Sequence, residues 1–215
     1  MAIFEDFTLT ENPINQAPMA GYMRNQFPFA GLKTPDRKQQ SHDLIQASKQ
    51  LPVAAVLTGV AQLYQRSQRE YQYVAIDMCV ANVRRFDFGD IRHLTSFITK
   101  KSWWDTVDTW RKVFGLYIRR HPEQKQVVFD LFYQSENMWM RRVAIILQLL
   151  EKETLDQTML TRAIEYDIST DEFFIQKAIG WALRDYSKTD SEWVKAFIAS
   201  HSLSKLAVRE GSKYL

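Results

Sequence analysis

The chain has 215 residues, of which 46% are hydrophobic and 25% are charged, and its formal net charge at pH 7 is +3. This hydrophobic content is enough for a folded core and excludes a disordered chain. The small positive charge permits an anionic partner without requiring one. Only seven glycines and six prolines are present, and the many good helix formers predict an all-α protein.

Targeting and redox signals are weak in this sequence. The segment Met1 to Asp6 ends in two acidic residues, where a secretory or mitochondrial signal would be basic. The longest apolar run, Val143 to Leu150, is far shorter than the roughly 20 residues that span a bilayer. We therefore expect a cytoplasmic protein. The single Cys79 cannot form an internal disulfide, and we expect a buried structural thiol.

Helix boundaries follow from capping residues and from the 3.6-residue periodicity of apolar positions. The predicted helices span residues 12–27, 35–50, 52–66, 68–84, 89–100, 103–120, 122–134, 136–152, 155–166, 171–188, 190–200 and 203–214. Thr34 before Pro35 predicts a capped helix start. Three pairs have the spacing of a capping box or its aspartate variant: Ser102 with Asp105, Ser169 with Glu172, and Thr189 with Glu192.

A weak internal repeat of about 35 residues runs through the second half of the chain. It is carried by three similar segments, which start at Trp103, Trp139 and Phe174. Helical-hairpin repeats of this length stack into solenoids with a long concave face. Because no linker rich in Gly, Pro or Ser divides the chain, we predict a single domain over residues 1–215.

The helix predicted from residue 103 carries a tryptophan that lies outside its apolar stripe. Its apolar stripe consists of Trp103, Val107, Trp110, Phe114 and Tyr117. Trp104 and Asp108 lie one turn apart on a different face, together with Arg111. A ligand-binding face would explain them. Alternatively, Trp104 widens a packing interface and Asp108 pairs with Arg111 or Lys112 on its own helix.

A second tryptophan lies on the most cationic face of a helix. In residues 171–188 the core side is formed by Ile175, Ile179, Ala182, Leu183 and Tyr186. Trp181 lies nearly opposite, near three cations: Lys177, Arg184 and Lys188. An exposed indole among cations is typical of a surface that binds nucleic acid. The alternative is an intramolecular cation–π contact, which would require only one cation.

Arg142, near Trp139, lies in a helix that is apolar almost all round. Its guanidinium must extend to water, pair with a carboxylate, or bind an anion such as phosphate. Structural pairing and phosphate binding remain equally open from the sequence. The four histidines show no metal-ligand spacing, and no Gly-rich phosphate loop or nucleophile elbow appears. We therefore expect neither a metal nor an organic cofactor.

Several segments together resemble the AlkD family of bacterial DNA alkylation repair glycosylases. They are residues 101–108 (KSWWDTVD), 137–145 (NMWMRRVAI) and 173–189 (FFIQKAIGWALRDYSKT), with residues 22–25 and 31–37 upstream. The similarity extends from about residue 19 to the C-terminus. The residues after Asp108, from Thr109 to Lys112, depart from the family pattern. This departure concerns the range of lesions that the protein would remove.

The resemblance implies a curved superhelix of HEAT-like repeats that holds duplex DNA in a concave basic groove, as a monomer in the bacterial cytosol or nucleoid. It implies hydrolysis of the N-glycosidic bond of cationic N3- or N7-alkylated purines, such as 3-methyladenine and 7-methylguanine, without base flipping. By position, the resemblance assigns the catalytic cluster to Trp104, Asp108 and Trp181. It assigns DNA contacts to Arg142, Tyr22, Arg184 and Lys188, and we add the neighbouring Lys177.

Two other functions stay open at this point. A non-catalytic DNA-binding protein of the same fold would use the groove only to hold phosphates, and Asp108 argues against it because a carboxylate opposes phosphate binding. A protein-interaction scaffold is the common use of helical solenoids. It would carry no connected basic lining.

Overall fold

The computed structural model describes residues 2–215, with Ala2 described by its backbone alone. Over this range the chain contains helices and no strand, which confirms the all-α class. It forms two compact units, one ending at Asp87 and one running from Phe88 to Leu215. Within residues 2–215, no helix combines the length and the apolar character needed to cross a membrane.

Within residues 2–87, the N-terminal unit contains five α-helices. They are α1 (Ala2–Glu5), α2 (Pro13–Tyr22), α3 (Thr34–Ser48), α4 (Val53–Gln65) and α5 (Arg69–Asn82). Helix α5 packs against both α3 and α4, and their contact buries Val60, Leu63 and Ile76 completely. Cys79 is a free, buried thiol as predicted, and this burial raises its pKa.

A buried carboxylate fixes the segment between α2 and α3. Glu70 accepts hydrogen bonds from the backbone N–H groups of Ala30, Gly31 and Leu32, at 2.8, 2.9 and 3.0 Å. Gly31 adopts a φ of +85°, and a Cβ there would lie 2.0 Å from the carbonyl oxygen of Asn12. Only glycine fits this position, because both its φ and the close backbone approach exclude a side chain.

The second unit consists of eight α-helices. They are α6 (Phe88–Leu94), α7 (Trp104–Arg120), α8 (Lys125–Asp130), α9 (Met138–Ile146), α10 (Gln157–Asp167), α11 (Phe173–Tyr186), α12 (Ser191–Ser200) and α13 (Lys205–Gly211). Helix α7 packs against α9, α9 against α11, and α11 against α13. This stacking of alternate helices is the packing of an α-solenoid, as the repeat predicted.

Helix α9 ends well before the predicted residue 152. Its last residue is Ile146, and Leu150 adopts a left-handed φ of 69°. The backbone N–H of Leu150 donates to Asp185 at 2.7 Å, while Gln148 exchanges two hydrogen bonds with the backbone of Asp156. The Asp185 carboxylate thus satisfies the Leu150 N–H, which a longer helix would have paired, and Gln148 connects this segment to the start of α10.

The four predicted helix caps were wrong, three of them by one residue and Ser169 by three. Thr34 is the first residue of α3, and the cap position is Lys33, which provides no side-chain hydrogen bond. Trp103 and Glu172 likewise precede α7 and α11 without a side-chain cap, so Ser102 and Ser169 do not cap them. Asp190, not Thr189, caps α12. Side-chain caps are provided by Asn12, Asn137, Asp156, Asp190 and Ser204.

Candidate active site

The buried face of α7 agrees with the predicted stripe except at its first residue. Val107, Trp110, Phe114 and Tyr117 are buried. Trp103 lies at the cap position in extended conformation and is half-buried. Trp104 and Asp108 are also half-buried, one turn apart on α7. These two side chains therefore lie outside the core stripe, as predicted.

The three aromatic residues that define the sequence repeat pack on one another. The ring centroids of Trp103 and Trp139 are 6.0 Å apart, and those of Trp103 and Phe174 are 5.0 Å apart. Trp139 and Phe174 close the triangle at 5.1 Å. Trp139 thus joins an aromatic cluster at the starts of α7, α9 and α11, and this cluster holds these helix starts together.

Arg142 pairs with Asp108. Its Nε and Nη2 donate to the two carboxylate oxygens of Asp108, each at 2.8 Å, and its Nη1 donates to the carbonyl oxygen of Phe174. The Arg142 side chain is only 5% exposed, so it does not extend to water, whereas 16% of the Asp108 side chain is exposed. Of the three options left open by the sequence, the structure contains the ion pair.

The partner of Asp108 comes from a neighbouring helix. The alternative in which Arg111 or Lys112 on α7 holds this carboxylate is therefore wrong, because both of its oxygens bond to Arg142. Arg142, on α9, contacts α7 through Asp108 and α11 through Phe174. A single guanidinium thus fixes the carboxylate relative to three helices, and a bidentate grip also sets its orientation.

Burial and charge act in opposite directions on Asp108. Burial raises its pKa above the ordinary value, while the hydrogen bonds and charge of Arg142 and the charge of Arg111 lower it, and burial prevails. Each carboxylate oxygen has a further lone pair besides the one that Arg142 uses. The site therefore offers a fixed, partly exposed carboxylate that can face a positive charge or accept a proton.

Trp181 lies on α11 between two cations that share one counterion. Lys177 and Arg184, one turn before and one turn after the indole, bind Glu210 of α13 at 3.2 and 3.0 Å. Lys213 adds a contact to Glu210 at 2.8 Å. Hydrogen bonds from Lys213 and Lys177, together with their charges, lower the pKa of Glu210 to about 2 against the opposing effect of burial. The predicted cationic face is therefore partly neutralised.

Two glycines allow α11 and α13 to approach closely at this point. A Cβ on Gly180 would lie 2.5 Å from the Cβ of Glu210 and 3.0 Å from the carbonyl oxygen of Ala207. A Cβ on Gly211 would lie 3.2 Å from the Cβ of Leu183. The absence of side chains at both positions brings Glu210 beside the residues that flank Trp181.

Comparison with known proteins identifies the family. A family model described as DNA alkylation repair enzyme matches residues 3–215. The chain belongs to the DNA alkylation repair enzyme family. The resemblance drawn from the sequence is thereby confirmed. Membership in this family implies that the partner of the protein is DNA.

A solved structure agrees with this assignment. The chain is 46% identical to a protein described as a predicted DNA alkylation repair enzyme from Enterococcus faecalis, with a TM-score of 0.96. The match covers 97% of this chain and 98% of that one. No curated protein matches the chain.

Lys188 and Tyr22 are the remaining residues that the resemblance to the family assigns to the site. Lys188 lies over the ring of Tyr214, with its Nζ 5.0 Å from the ring centroid. Tyr22 is the last residue of α2 in the N-terminal unit and is 73% exposed. Arg24 and Asn25, which follow it, adopt left-handed φ values of 54° and 55°. The role of Tyr22 in the site stays a prediction.

Glu210 is the residue that sequence reasoning missed. It is buried, and it contacts both cations beside Trp181. Its spacing to Lys213 indicated only a local i,i+3 pair. The remaining signal in the sequence was the presence of Gly180 and Gly211, because glycines inside two helices at the end of the chain suggest helices packed at short distance.

Proposed function

We propose that this family member is a monofunctional DNA glycosylase. It hydrolyses the N-glycosidic bond of cationic N3- or N7-alkylated purines, such as 3-methyladenine and 7-methylguanine, in duplex DNA. The observation that carries the proposal is the Asp108 carboxylate, which Arg142 fixes in two hydrogen bonds while 16% of its side chain stays exposed. The carboxylate is therefore fixed in position and still partly exposed.

The reaction needs a negative charge more than it needs an acid. An alkylated purine is already cationic, so it takes the electron pair of the C1′–N bond and departs as a neutral base. The deoxyribose is left with positive charge at C1′. Asp108, in its ionised form, stabilises this charge in a site of low dielectric. Water then bonds to C1′, and its proton passes to Asp108 or to solvent.

Arg142 acts in this proposal as the residue that positions the carboxylate. Its charge and hydrogen bonds keep the Asp108 pKa from rising as far as burial alone would raise it. This interaction favours the ionised form of Asp108, which is the form that the proposal requires at the developing sugar cation. The guanidinium has five N–H groups, and three bonds are made inside the protein. The family resemblance also assigns Arg142 a DNA contact, and this part of the proposal concerns the two donors left over on a side chain that is 5% exposed.

The aromatic residues Trp104 and Trp181 complete the proposed cluster. Their indole faces contact the cationic sugar and the adjacent backbone, each contact being worth on the order of 1 kcal/mol when desolvated. The base stays in the helical stack during the reaction, since the enzyme acts through the deoxyribose.

Backbone phosphates are held by Tyr22, Arg142, Lys177, Arg184 and Lys188 in this proposal, and the protein acts as a monomer. Glu210 already forms ion pairs with Lys177 and Arg184. A DNA phosphate must therefore share these cations with a carboxylate, and this weakens binding at that face. Such an arrangement favours release of DNA after the reaction over tight retention.

The deciding experiment measures base release by the wild-type protein. Duplex DNA methylated at guanine N7 is incubated with the protein, and free 7-methylguanine is quantified by chromatography. The glycosylase predicts time-dependent release that exceeds the spontaneous rate by orders of magnitude. Strongly salt-dependent duplex binding with release at the spontaneous rate would instead identify a non-catalytic DNA-binding protein.

A further inference from the structure

A cavity of about 670 Å³ lies beyond the proposed active site along α7. Its walls come from the C-terminal half of α7, the turn that follows it, and the segment after α9. This volume is within the roughly 300 to 1,000 Å³ typical of small-molecule sites. Gly115, in the middle of the α7 wall, leaves the cavity open on that side.

The lining is strongly cationic. Its four basic residues are Arg111, Lys112, Arg119 and Lys125. The single carboxylate among the lining residues is Glu151. Lys125 binds Glu151 at 2.6 Å, so these two charges cancel. With the described carboxylates, Arg111, Lys112 and Arg119 form no ion pair. Three cations therefore remain available to an anion.

Arg111 has donors to spare. Three carboxylates act on its charge, namely Asp108, Asp185 and Glu151. Each of them is hydrogen-bonded to another group: Asp108 to Arg142, Asp185 to the N–H of Leu150, and Glu151 to Lys125. The hydrogen bond that Arg111 makes runs from Nη1 to the carbonyl oxygen of Leu149, at 3.3 Å, and its Nε is buried without a partner.

The rest of the lining is apolar. It is formed mainly by Leu116, Pro122, Leu147, Leu149 and Leu150. Leu150 is 63% exposed and adopts a left-handed φ of 69°, an unfavourable conformation for a leucine. Asp185 holds it there through its backbone N–H. An exposed apolar side chain held in such a backbone is the kind of feature that occurs at binding sites.

We propose that this cavity binds a nucleotide, with its phosphate at Arg111 and Arg119 and its base against the leucines. Cations and an apolar wall in one cavity match the two halves of a nucleotide, a charged phosphate and a flat base. A free nucleotide and a nucleotide within a DNA strand share this chemistry. The site goes beyond the proposed glycosylase, and it does not depend on it, because the residues of the proposed catalytic cluster do not line it.

The test titrates the purified protein by calorimetry with three ligands. They are deoxyadenosine monophosphate, inorganic phosphate and a short single-stranded oligonucleotide without lesions. The mononucleotide should bind at least about tenfold more tightly than phosphate, because its base adds apolar contacts. An oligonucleotide that binds more tightly than the mononucleotide, and that loses this advantage in Gly115→Leu, assigns the site to a DNA strand. If Gly115→Leu weakens binding of the mononucleotide alone, the site belongs to a free nucleotide.

Two variants connect the binding to the cavity. A Cβ on Gly115 would have ordinary contacts at 3.7 Å with Arg111 Nη1 and the carbonyl oxygen of Leu147, so Gly115→Leu keeps the helix and fills the cavity. Arg119→Ala removes a lining cation. Arg120→Ala is the matched control, since Arg120 is the exposed neighbour outside the lining.

We expect Gly115→Leu and Arg119→Ala each to weaken mononucleotide binding by roughly tenfold, and Arg120→Ala by less than about twofold. The proposal is overturned if the mononucleotide does not bind at millimolar concentration, if phosphate binds equally well, or if Arg119→Ala and Arg120→Ala have equal effects. Because no alkylated DNA is used, failure here leaves the glycosylase proposal untouched.

Discussion

Arg142 and Asp108 face each other in a bidentate pair, with both donor–acceptor distances at 2.8 Å. The pair joins α9 to α7, and the third contact of Arg142, to the carbonyl oxygen of Phe174, extends it to α11. The carboxylate that we propose as catalytic is therefore held by the same residue that ties three helices together. Loss of either partner affects stability as well as chemistry, and experiments must separate the two.

Replacement of Arg142 should reduce both stability and base release. Arg142→Ala leaves Asp108 largely buried without its partner, which costs about 3 kcal/mol of unfolding free energy. It also removes the interaction that opposes the rise of the Asp108 pKa. Chemical denaturation and release of 7-methylguanine, both at a temperature where the variant is folded, measure the two effects.

The neighbouring Arg141 provides the control for this prediction. It forms a comparable pair with the buried Asp167 at 2.9 Å, outside the proposed cluster. Arg141→Ala should also lower the unfolding free energy, but it should leave the release rate of the folded protein near that of the wild type. Equal losses of release in the two variants would show that Arg142 has no specific part in the reaction.

The tryptophans should divide into two functional classes. Trp104→Ala and Trp181→Ala should lower base release by roughly tenfold each, the equivalent of about 1.4 kcal/mol of lost cation–π stabilisation. Their half-buried side chains contribute less to the core. Trp110→Ala, at a fully buried position, should instead lower the unfolding free energy by about 3 to 5 kcal/mol. Wild-type release by the first two variants would remove both indoles from the mechanism.

Glu210 should make stability depend on acidic pH. Its pKa falls from 4.5 in the unfolded chain to about 2 in the folded protein. The stabilisation is therefore fully present above about 4.5 and is lost as the pH falls through this window towards 2. Glu210→Gln should flatten the decline of unfolding free energy across the window. Glu192→Gln, at an exposed i,i+3 pair with Lys195, is the control and should leave the pH profile unchanged.

The same residue should also limit DNA affinity. Glu210→Gln removes the charge that Lys177 and Arg184 share, so both cations become available to phosphates. Duplex binding at low salt should tighten, and its salt dependence should steepen, because more counterions are released per complex. Fluorescence anisotropy across a salt series measures both, with Glu192→Gln again as the control. Unchanged affinity and slope would mean that this face does not contact DNA.

Local periodicity carried most of what the sequence predicted. The buried faces of α7 and α11 follow from the 3.6-residue spacing of their apolar residues, which depends on the helix alone. The repeat predicted that Trp103, Trp139 and Phe174 are equivalent, and the structure packs these three rings together. The family resemblance rested on contiguous motifs, so it too could be drawn from the sequence alone.

Interactions between distant segments could not be predicted from the sequence in the same way. The sequence left the partner of Arg142 open, since the register between α7 and α9 decides which carboxylate it meets. The early end of α9 depends on Asp185, which is 35 residues beyond Leu150. Glu210 reaches Lys177 and Arg184 because two glycines let α11 and α13 approach. The predicted caps failed because α3, α7 and α11 begin without a side-chain cap. Only at α12 does a neighbouring residue, Asp190, take the cap position instead.

The most direct test of the central claim is the rate of 7-methylguanine release by Asp108→Asn under single-turnover conditions with all DNA bound. Asparagine keeps the shape of the side chain and an oxygen that can accept from Arg142, but it removes the negative charge. The account predicts a rate at least about 100-fold below the wild type, with duplex affinity equal or higher. A variant that releases the base within a few fold of the wild-type rate would contradict the proposed role of Asp108.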